Sequence, residues 1–270
     1  MSIKLVAIDI DGTLVTDNKE VTPAVKSAIS AAKAQGVHIV LCTGRPLPGV
    51  HRYLDELELN DNDDYVITYN GSLVQESLSG KKISSHTLSY EDFLEIETMS
   101  RRLNVHLHTI TDEAIYTANR DISYYTVNEA FWVKMPLRYR TVQEMTPELN
   151  IIKMMYIDEP DYLTEVINRI PADFAKKYTM VRSDTFYYEI LNRDASKGAG
   201  LKALAAHLQL APEEVMAIGD NENDLSMIEF AGTGVAMGNA VDTVKAAADI
   251  VAPSNEEDGV AHIIQEYVLK

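Results

Sequence analysis

The chain has 270 residues, of which 46 % are hydrophobic and 24 % charged, and its formal net charge is -17. That length allows one large domain or two ordinary ones, and the composition is that of a soluble globular protein. The acidic balance argues against nucleic acid as a partner, and no apolar run approaches the ~20 residues of a membrane span. The first residues lack the basic and apolar regions of a secretory leader. One cysteine, Cys42, excludes an intrachain disulfide and suits the reducing cytoplasm, where the protein is expected.

The first third alternates strand and helix. Ile3–Ile8 reads as a buried strand, followed by Asp9-Ile10-Asp11-Gly12-Thr13-Leu14. Residues two apart in a strand share a face, so the spacing predicts that Asp9 and Asp11 direct both carboxylates into one small volume. Thr22-Pro23 opens a helix as N-cap and first helical residue, and Gly36 closes it. Val37–Leu41 is a second buried strand, ending in Thr43-Gly44-Arg45-Pro46, and a helix through Tyr53 and Leu57 follows. Tyr65–Tyr69 is a third strand, closed by the turn pair Asn70-Gly71. The pattern is that of a parallel, doubly wound α/β sheet.

After about Ile83 the pattern changes. Helices are predicted over 92–103, 122–131 and 160–170, with alternating strands over 105–110, 151–157 and 186–191, which together describe an α+β module with its own sheet. The βα pattern returns near Ser196. A helix runs from Lys197 to Leu208. The short strand Val215–Ile218 ends in Gly219-Asp220, and a helix over 222–230 follows it. Then come the strand Gly234–Met237 and a closing amphipathic helix over 258–269. Residues 1–83 and 191–270 are therefore expected to form a discontinuous α/β core, with residues 84–190 inserted as a second domain.

Four places break the plain pattern, each at a strand end or helix start: Asp9/Asp11, Thr43-Gly44, Lys197, and Gly219-Asp220-Asn221-Glu222-Asn223-Asp224. Open α/β sheets bind ligands at the carboxyl ends of their strands. Two aspartates alone could be a turn and a helix cap. A lysine at a helix start is usually solvated. The four together supply carboxylates, hydroxyl and amide donors and one cation, a set that suits a phosphate bridged to a hard, oxygen-liganded metal such as Mg²⁺. Other features read as structure. His106 and His108 alternate on a strand without a third ligand nearby, Gly198-Ala199-Gly200 is too short for a nucleotide fingerprint, and Cys42 and Met154-Met155 read as core.

In this order and spacing the motifs Asp9-x-Asp11-Gly-Thr13, Thr43, Lys197 and Gly219-Asp220-x-x-Asn223-Asp224 resemble those of the haloacid dehalogenase-like (HAD) phosphohydrolases, across the whole chain. The insertion resembles the C2B cap of the Cof-like subfamily IIB. Residues 116–127 with Thr43-Gly-Arg-Pro resemble the YidA-type sugar phosphatases. The resemblance implies a Rossmann-like core with an α+β cap that can cover it. It implies a Mg²⁺-dependent phosphatase acting on small phosphorylated metabolites, most of all sugar phosphates, through an aspartyl-phosphate. Under it Asp9 is the nucleophile and Asp11 the acid and then the base. Mg²⁺ is held by Asp9, the backbone carbonyl of Asp11, and Asp220. The amides of Ile10 and Gly44, with Thr43, Lys197 and Asn223, bind phosphoryl oxygens, and Asp224 orients Lys197 or a metal-bound water. Substrate contacts are expected from Asn119, Arg120 and Glu189 in the insertion and from Arg45 and Asn70 in the core. The alternatives are a phosphotransferase or phosphomutase and a non-catalytic sugar-phosphate sensor. The acidic surface neither requires nor forbids a homodimer.

Overall fold

Strand β1 (Leu5–Ile8) is apolar on both faces because both are covered: Val6 and Ile8 face one helical layer, Leu5 and Ala7 the other. The computed structural model describes residues 2–269. From β1 the chain passes through α1 (Pro23–Ala34), β2 (His38–Cys42), α2 (His51–Glu56) and β3 (Tyr65–Thr68). Thr22 caps α1 by accepting from Val25 N at 3.3 Å, with Pro23 as first helical residue. The turn Tyr69–Gly71 then leads to β4 (Leu73–Glu76) and β5 (Lys82–Ser85).

Next come α3 (Tyr90–Leu103), β6 (His106–Thr111), β7 (Ile115–Thr117), α4 (Tyr124–Val133), β8 (Leu137–Tyr139), β9 (Ile151–Ile157), α5 (Pro160–Asn168), α6 (Ala172–Ala175), β10 (Tyr178–Asp184) and β11 (Tyr187–Asn192). The chain closes with α7 (Lys197–His207), β12 (Val215–Gly219), α8 (Leu225–Phe230), β13 (Thr233–Ala236), α9 (Asp242–Ala247), β14 (Ile250–Val251) and α10 (Gly259–Ile263).

Two compact units result. Residues 1–85 and 196–270 form one, residues 86–195 the other. A boundary at 190/191, expected from the sequence, falls inside β11; the observed division lies in the loop before α7.

The first unit holds a sheet in the order β14-β13-β12-β1-β2-β3-β4-β5. Strands β14 through β3 pair in parallel, whereas β3–β4 and β4–β5 are antiparallel. The doubly wound parallel sheet expected from the sequence is present, and it carries an antiparallel edge because Tyr69–Gly71 turns the chain straight back. One face carries Val6, Ile8, Ile39 and Leu41 against Val25 and Ile29 of α1 and Val260 of α10; the other carries Leu5, Ala7, Val40 and Cys42 against Leu201 and Leu204 of α7 and Met227 of α8. Strand order reverses around β1, which lies between β12 and β2. The carboxyl ends of these three strands therefore open a crevice at the switch point.

The second unit has a sheet in the order β10-β11-β9-β6-β7-β8. Leu107, Met154, Tyr156 and Ile190 on one face pack with Phe93 and Ile96 of α3, Leu163 and Val166 of α5 and Phe174 of α6. On the other face His108, Met155 and Glu189 stand in register on β6, β9 and β11. Helix α4 joins them on this face: His108 Nδ1 lies 3.3 Å from Thr126 Oγ1, and the Tyr187 hydroxyl donates to the Tyr125 carbonyl at 2.9 Å.

Candidate active site

Asp9 stands one residue past β1, its N–H still donating to the Ile218 carbonyl of β12 at 3.0 Å. The chain then curls. Leu14 N donates to the Asp9 carbonyl and Val15 N to that of Ile10, both at 3.1 Å. Gly12 makes this curl at φ +83°, and a Cβ there would lie 2.5 Å from Asp220 Oδ2, so the position admits only glycine without displacement. The neighbouring Thr13 donates its hydroxyl to Asp220 Oδ1 at 2.8 Å, tying the curl to the end of β12.

Lys197 is fully buried at the start of α7, and its Nζ lies 2.5 Å from both Asp9 Oδ1 and Asp224 Oδ1. Asp224 is equally buried, and its other oxygen accepts from the N–H groups of Asp220 and Asn221 at 2.9 and 3.0 Å. Two glycines set this geometry. Gly71, at φ +90°, seats its turn against the Ser196 carbonyl, which a Cβ would approach to 1.9 Å. Gly198 brings α7 onto the Ser226 carbonyl, which explains the Gly-x-Gly without a nucleotide.

The carboxylates that share one small volume are Asp9, Asp220 and Asp224, whose oxygens lie within 4.8 Å of one another. The Asp11 carboxylate, expected from the spacing to share this volume with that of Asp9, is not among them. The strand ends at Ile8 and the curl through Gly12 turns the Asp11 side chain outward. There Arg45 grips it with a two-pronged contact, Nε to Oδ2 at 2.8 Å and Nη2 to Oδ1 at 2.6 Å, and Lys19 Nζ reaches Oδ1 at 2.9 Å.

The electrostatics follow from these positions. Burial, reinforced by the charge of Asp224, pushes Asp9 up to about 8 against the pull of Lys197. Burial likewise pushes Asp220 up to about 6 despite the Thr13 hydroxyl. Lys197 is held well above the ordinary lysine range, because Asp224 and Asp9 outweigh its burial. For Asp11 burial is outweighed by the Arg45 fork and by Lys19, and its carboxyl sits below the usual carboxylate range. Three crowded carboxylates face one lysine, a deficit of two positive charges. A divalent, oxygen-seeking cation fits that donor set and that deficit.

Thr43 follows β2 and is buried. Its hydroxyl accepts from Arg45 N at 3.1 Å, and its carbonyl accepts from Asn70 N at 2.9 Å. The Asn70 side chain lies against Gly44, where a Cβ would come within 3.1 Å of Nδ2, and Asn223 Nδ2 donates to Asn70 Oδ1 at 3.1 Å. Thr43, Gly44, Asn70 and Asn223 therefore form one polar rim in the same unit as the carboxylates.

Sequence reasoning missed Lys19 and Asn239, whose side-chain amide holds the Gly12 carbonyl at 2.8 Å; both lie on irregular segments with no motif to mark them. The expected contacts in the second unit are engaged within it. Glu189 is buried in an ion pair with Lys153 at 2.8 Å. The Asn119 side-chain oxygen accepts from Leu107 N at 2.9 Å, and Asn119 and Arg120 line a cavity of about 400 Å³ with Arg101, Asn104 and His106. His106 pairs with Asp158, and His108 is buried between Thr126 and Met155; neither belongs to a metal-ligating cluster among the described residues.

The sequence model of the haloacid dehalogenase-like hydrolases matches residues 6–264. YxeH of Bacillus subtilis (strain 168), a protein named provisionally as a phosphatase, is 51 % identical over 266 residues, covering 98 % of each chain. The same organism's phosphatase YwpJ is 31 % identical over 97 % of this chain and 99 % of its own. A solved haloacid dehalogenase-like hydrolase from Bacteroides thetaiotaomicron superposes with a TM-score of 0.84 at 32 % identity, over 98 % of this chain and 99 % of that one. A solved HAD subclass IIB sugar phosphatase superposes with a TM-score of 0.79 at 26 % identity, over 99 % of this chain and 100 % of that one.

Proposed function

The chain belongs to the haloacid dehalogenase-like hydrolase family, Cof-like subfamily IIB, and we propose that within it the protein is a Mg²⁺-dependent phosphatase of small phosphorylated metabolites, sugar phosphates foremost. The first unit is the catalytic core and the second the cap. The observation that carries the reading is the Asp9–Lys197–Asp224 contact, a buried carboxylate held by a buried lysine at the carboxyl end of the central strand, with Asp220 alongside. The preference for sugar phosphates rests on the likeness to the subclass IIB sugar phosphatase. The single cysteine supports a cytoplasmic location.

In this reading an Asp9 carboxylate oxygen attacks phosphorus, the ester O–P bond breaks, and Asp11 donates its proton to the leaving alkoxide. Water then attacks the aspartyl-phosphate, Asp11 takes its proton, and phosphate departs with Asp9 restored. One group serves both steps because the acid of the first becomes the base of the second. Lys197 balances charge on Asp9 and on the transferring phosphoryl group. Thr43, Asn223 and the amides of Ile10 and Gly44 are the donors for its oxygens. Asp9, Asp220 and the Asp11 carbonyl would hold Mg²⁺, which supplies Lewis-acid stabilisation of the phosphoryl oxygens. Before Asp11 can protonate a leaving group, the Arg45 fork has to open, which makes Arg45 a positioning residue for the acid.

The test is phosphate release from a panel of phosphorylated metabolites with Mg²⁺ or with chelator, on wild type beside Asp9→Asn. Metal-dependent release that the variant lacks is expected, with sugar phosphates heading the panel. Release that survives in Asp9→Asn refutes the nucleophile, and an isomeric phosphate without free phosphate identifies a mutase.

A further inference from the structure

Helix α4 breaks the rule that a surface helix shows one apolar face. Its inner side, Thr126, Ala130 and Val133, is buried. Its outer side carries Tyr124 (74 % exposed), Val127 (50 %), Phe131 (74 %) and Trp132 (68 %), with Ile122 just ahead of it. Tyr124, Val127 and Phe131 follow the i, i+3, i+7 spacing of a single stripe. The rings are ordered against their neighbours. Phe131 and Trp132 meet edge to face with centroids 5.8 Å apart, and Trp132 Nε1 donates to Asn128 Oδ1 at 2.9 Å. A helix apolar all round belongs in an interior, and the exposed stripe is contiguous rather than scattered.

We infer that this outer face of α4 is the contact by which a second copy of the chain docks, the two helices crossing antiparallel about a twofold axis. Area is the first argument. A large aromatic side chain buries about 150–250 Å², so at these exposures the three rings leave roughly 300–550 Å² uncovered on each copy. A twofold contact doubles that. With Ile122, Val127 and the polar rim it reaches the about 1,000 Å² that a specific interface has to clear.

Charge is the second argument. Two chains of net charge -17 repel each other over most of their surfaces. Within α4 the one charged residue is Glu129, which belongs to the inner side: burial raises its carboxyl above the usual range. The stripe itself carries no charge, so it is a surface on which two such acidic molecules can approach. Basic residues gather at one end of it, where Lys134, Arg138 and Arg140 are exposed. An antiparallel crossing keeps the two basic clusters at opposite ends, whereas a parallel one would oppose them.

The experiment is sedimentation equilibrium across 1–100 μM, on wild type, on Phe131→Glu/Trp132→Glu, and on Tyr124→Ser as a milder variant, with circular dichroism and phosphate release recorded on each. Wild type is expected at twice the 30.1 kDa chain mass. The double variant is expected to fall to half the wild-type mass with its spectrum unchanged, and Tyr124→Ser to raise the dissociation constant at least tenfold. The mutated rings are solvent-exposed, so folding is expected to survive. A wild-type monomer throughout the range overturns the inference, and so does a double variant that stays dimeric. Monomeric wild type whose turnover collapses in the variants would instead assign the stripe to substrate handling.

Discussion

Lys197 has no route to solvent and no partner but carboxylates, so its charge is present for Asp9 and Asp224. Replacing it with Met removes the cation and leaves both acids buried. The acids then take up protons rather than remain charged, so the fold is expected to survive with a stability loss of about 3–5 kcal/mol. The phosphoryl group loses its positive neighbour, and kcat should fall about 10²–10³-fold. Circular dichroism beside steady-state phosphate release checks both; turnover near wild type would remove Lys197 from the site. Arg45 makes a subtler prediction. Its fork, with Lys19, outweighs burial and holds the Asp11 carboxyl low. Arg45→Ala should therefore raise the Asp11 pKa. Since a proton donor works only below its own pKa, the alkaline limb of the pH–rate profile should move to higher pH. A limb that stays put or moves down contradicts the role given to Asp11.

Between residue and chain stands the element, and here placement depends on turns as much as on strands. Gly71 is the clearest case. Its φ of +90° and its contact with the Ser196 carbonyl set the start of α7, and hence Lys197. Gly71→Ala should cost about 1–3 kcal/mol through strain and lower kcat at least tenfold, because small displacements of a catalytic group are costly. Gly80→Ala is the control: φ is +68° but nothing lies within 4 Å of its Cβ, so activity should stay intact.

On the sheet of the second unit, burial holds His108 neutral down to about 3, against an ordinary value of 6.5. The unfolded chain binds the proton near pH 6.5 and the folded one does not. Stability from this group is complete above pH 6.5 and is lost as pH falls toward 3. Between pH 7 and 5 wild type should lose about 2 kcal/mol more than His108→Gln in denaturant titrations, at about 1.4 kcal/mol per pH unit. Equal losses would mean that His108 already carries its proton when folded.

What was legible follows the same physics. The doubly buried strands β1, β2, β3 and β12 stand out as apolar runs, and the chemistry-bearing residues stand out at their ends. Strands β4, β5, β7, β8 and β10 did not, being short or exposed at sheet edges with mixed polar faces. The closing helix was visible, but it loosens into wider turns after Ile263. Asp9, Lys197, Asp220 and Asp224, which the structure brings together, each stand out in the sequence at a strand end or helix start. The direction of the Asp11 side chain was not legible, because it depends on where β1 stops and on the curl through Gly12.

At the scale of the whole molecule, a chain of net charge -17 has to admit a phosphate ester that is itself a dianion. The compensation is local. Lys197 and a bound divalent cation can reverse the sign of the potential within the crevice, but a substrate farther than a Debye length of about 10 Å at 0.1 M salt meets the field of the whole surface. Approach and chemistry should therefore respond differently to ionic strength. With metal saturating, raising sodium chloride from 10 to 150 mM should increase kcat/KM a few-fold by screening the long-range repulsion. It should leave kcat nearly unchanged, since the buried Asp9–Lys197–Asp224 contact is out of reach of mobile ions. This is the reverse of an enzyme whose surface steers its substrate inward, where salt slows association. Stopped-flow or initial-rate measurements at sub-saturating sugar phosphate separate the two parameters. A kcat/KM that falls with salt would show that the positive field of the crevice extends beyond the acidic surface and governs encounter.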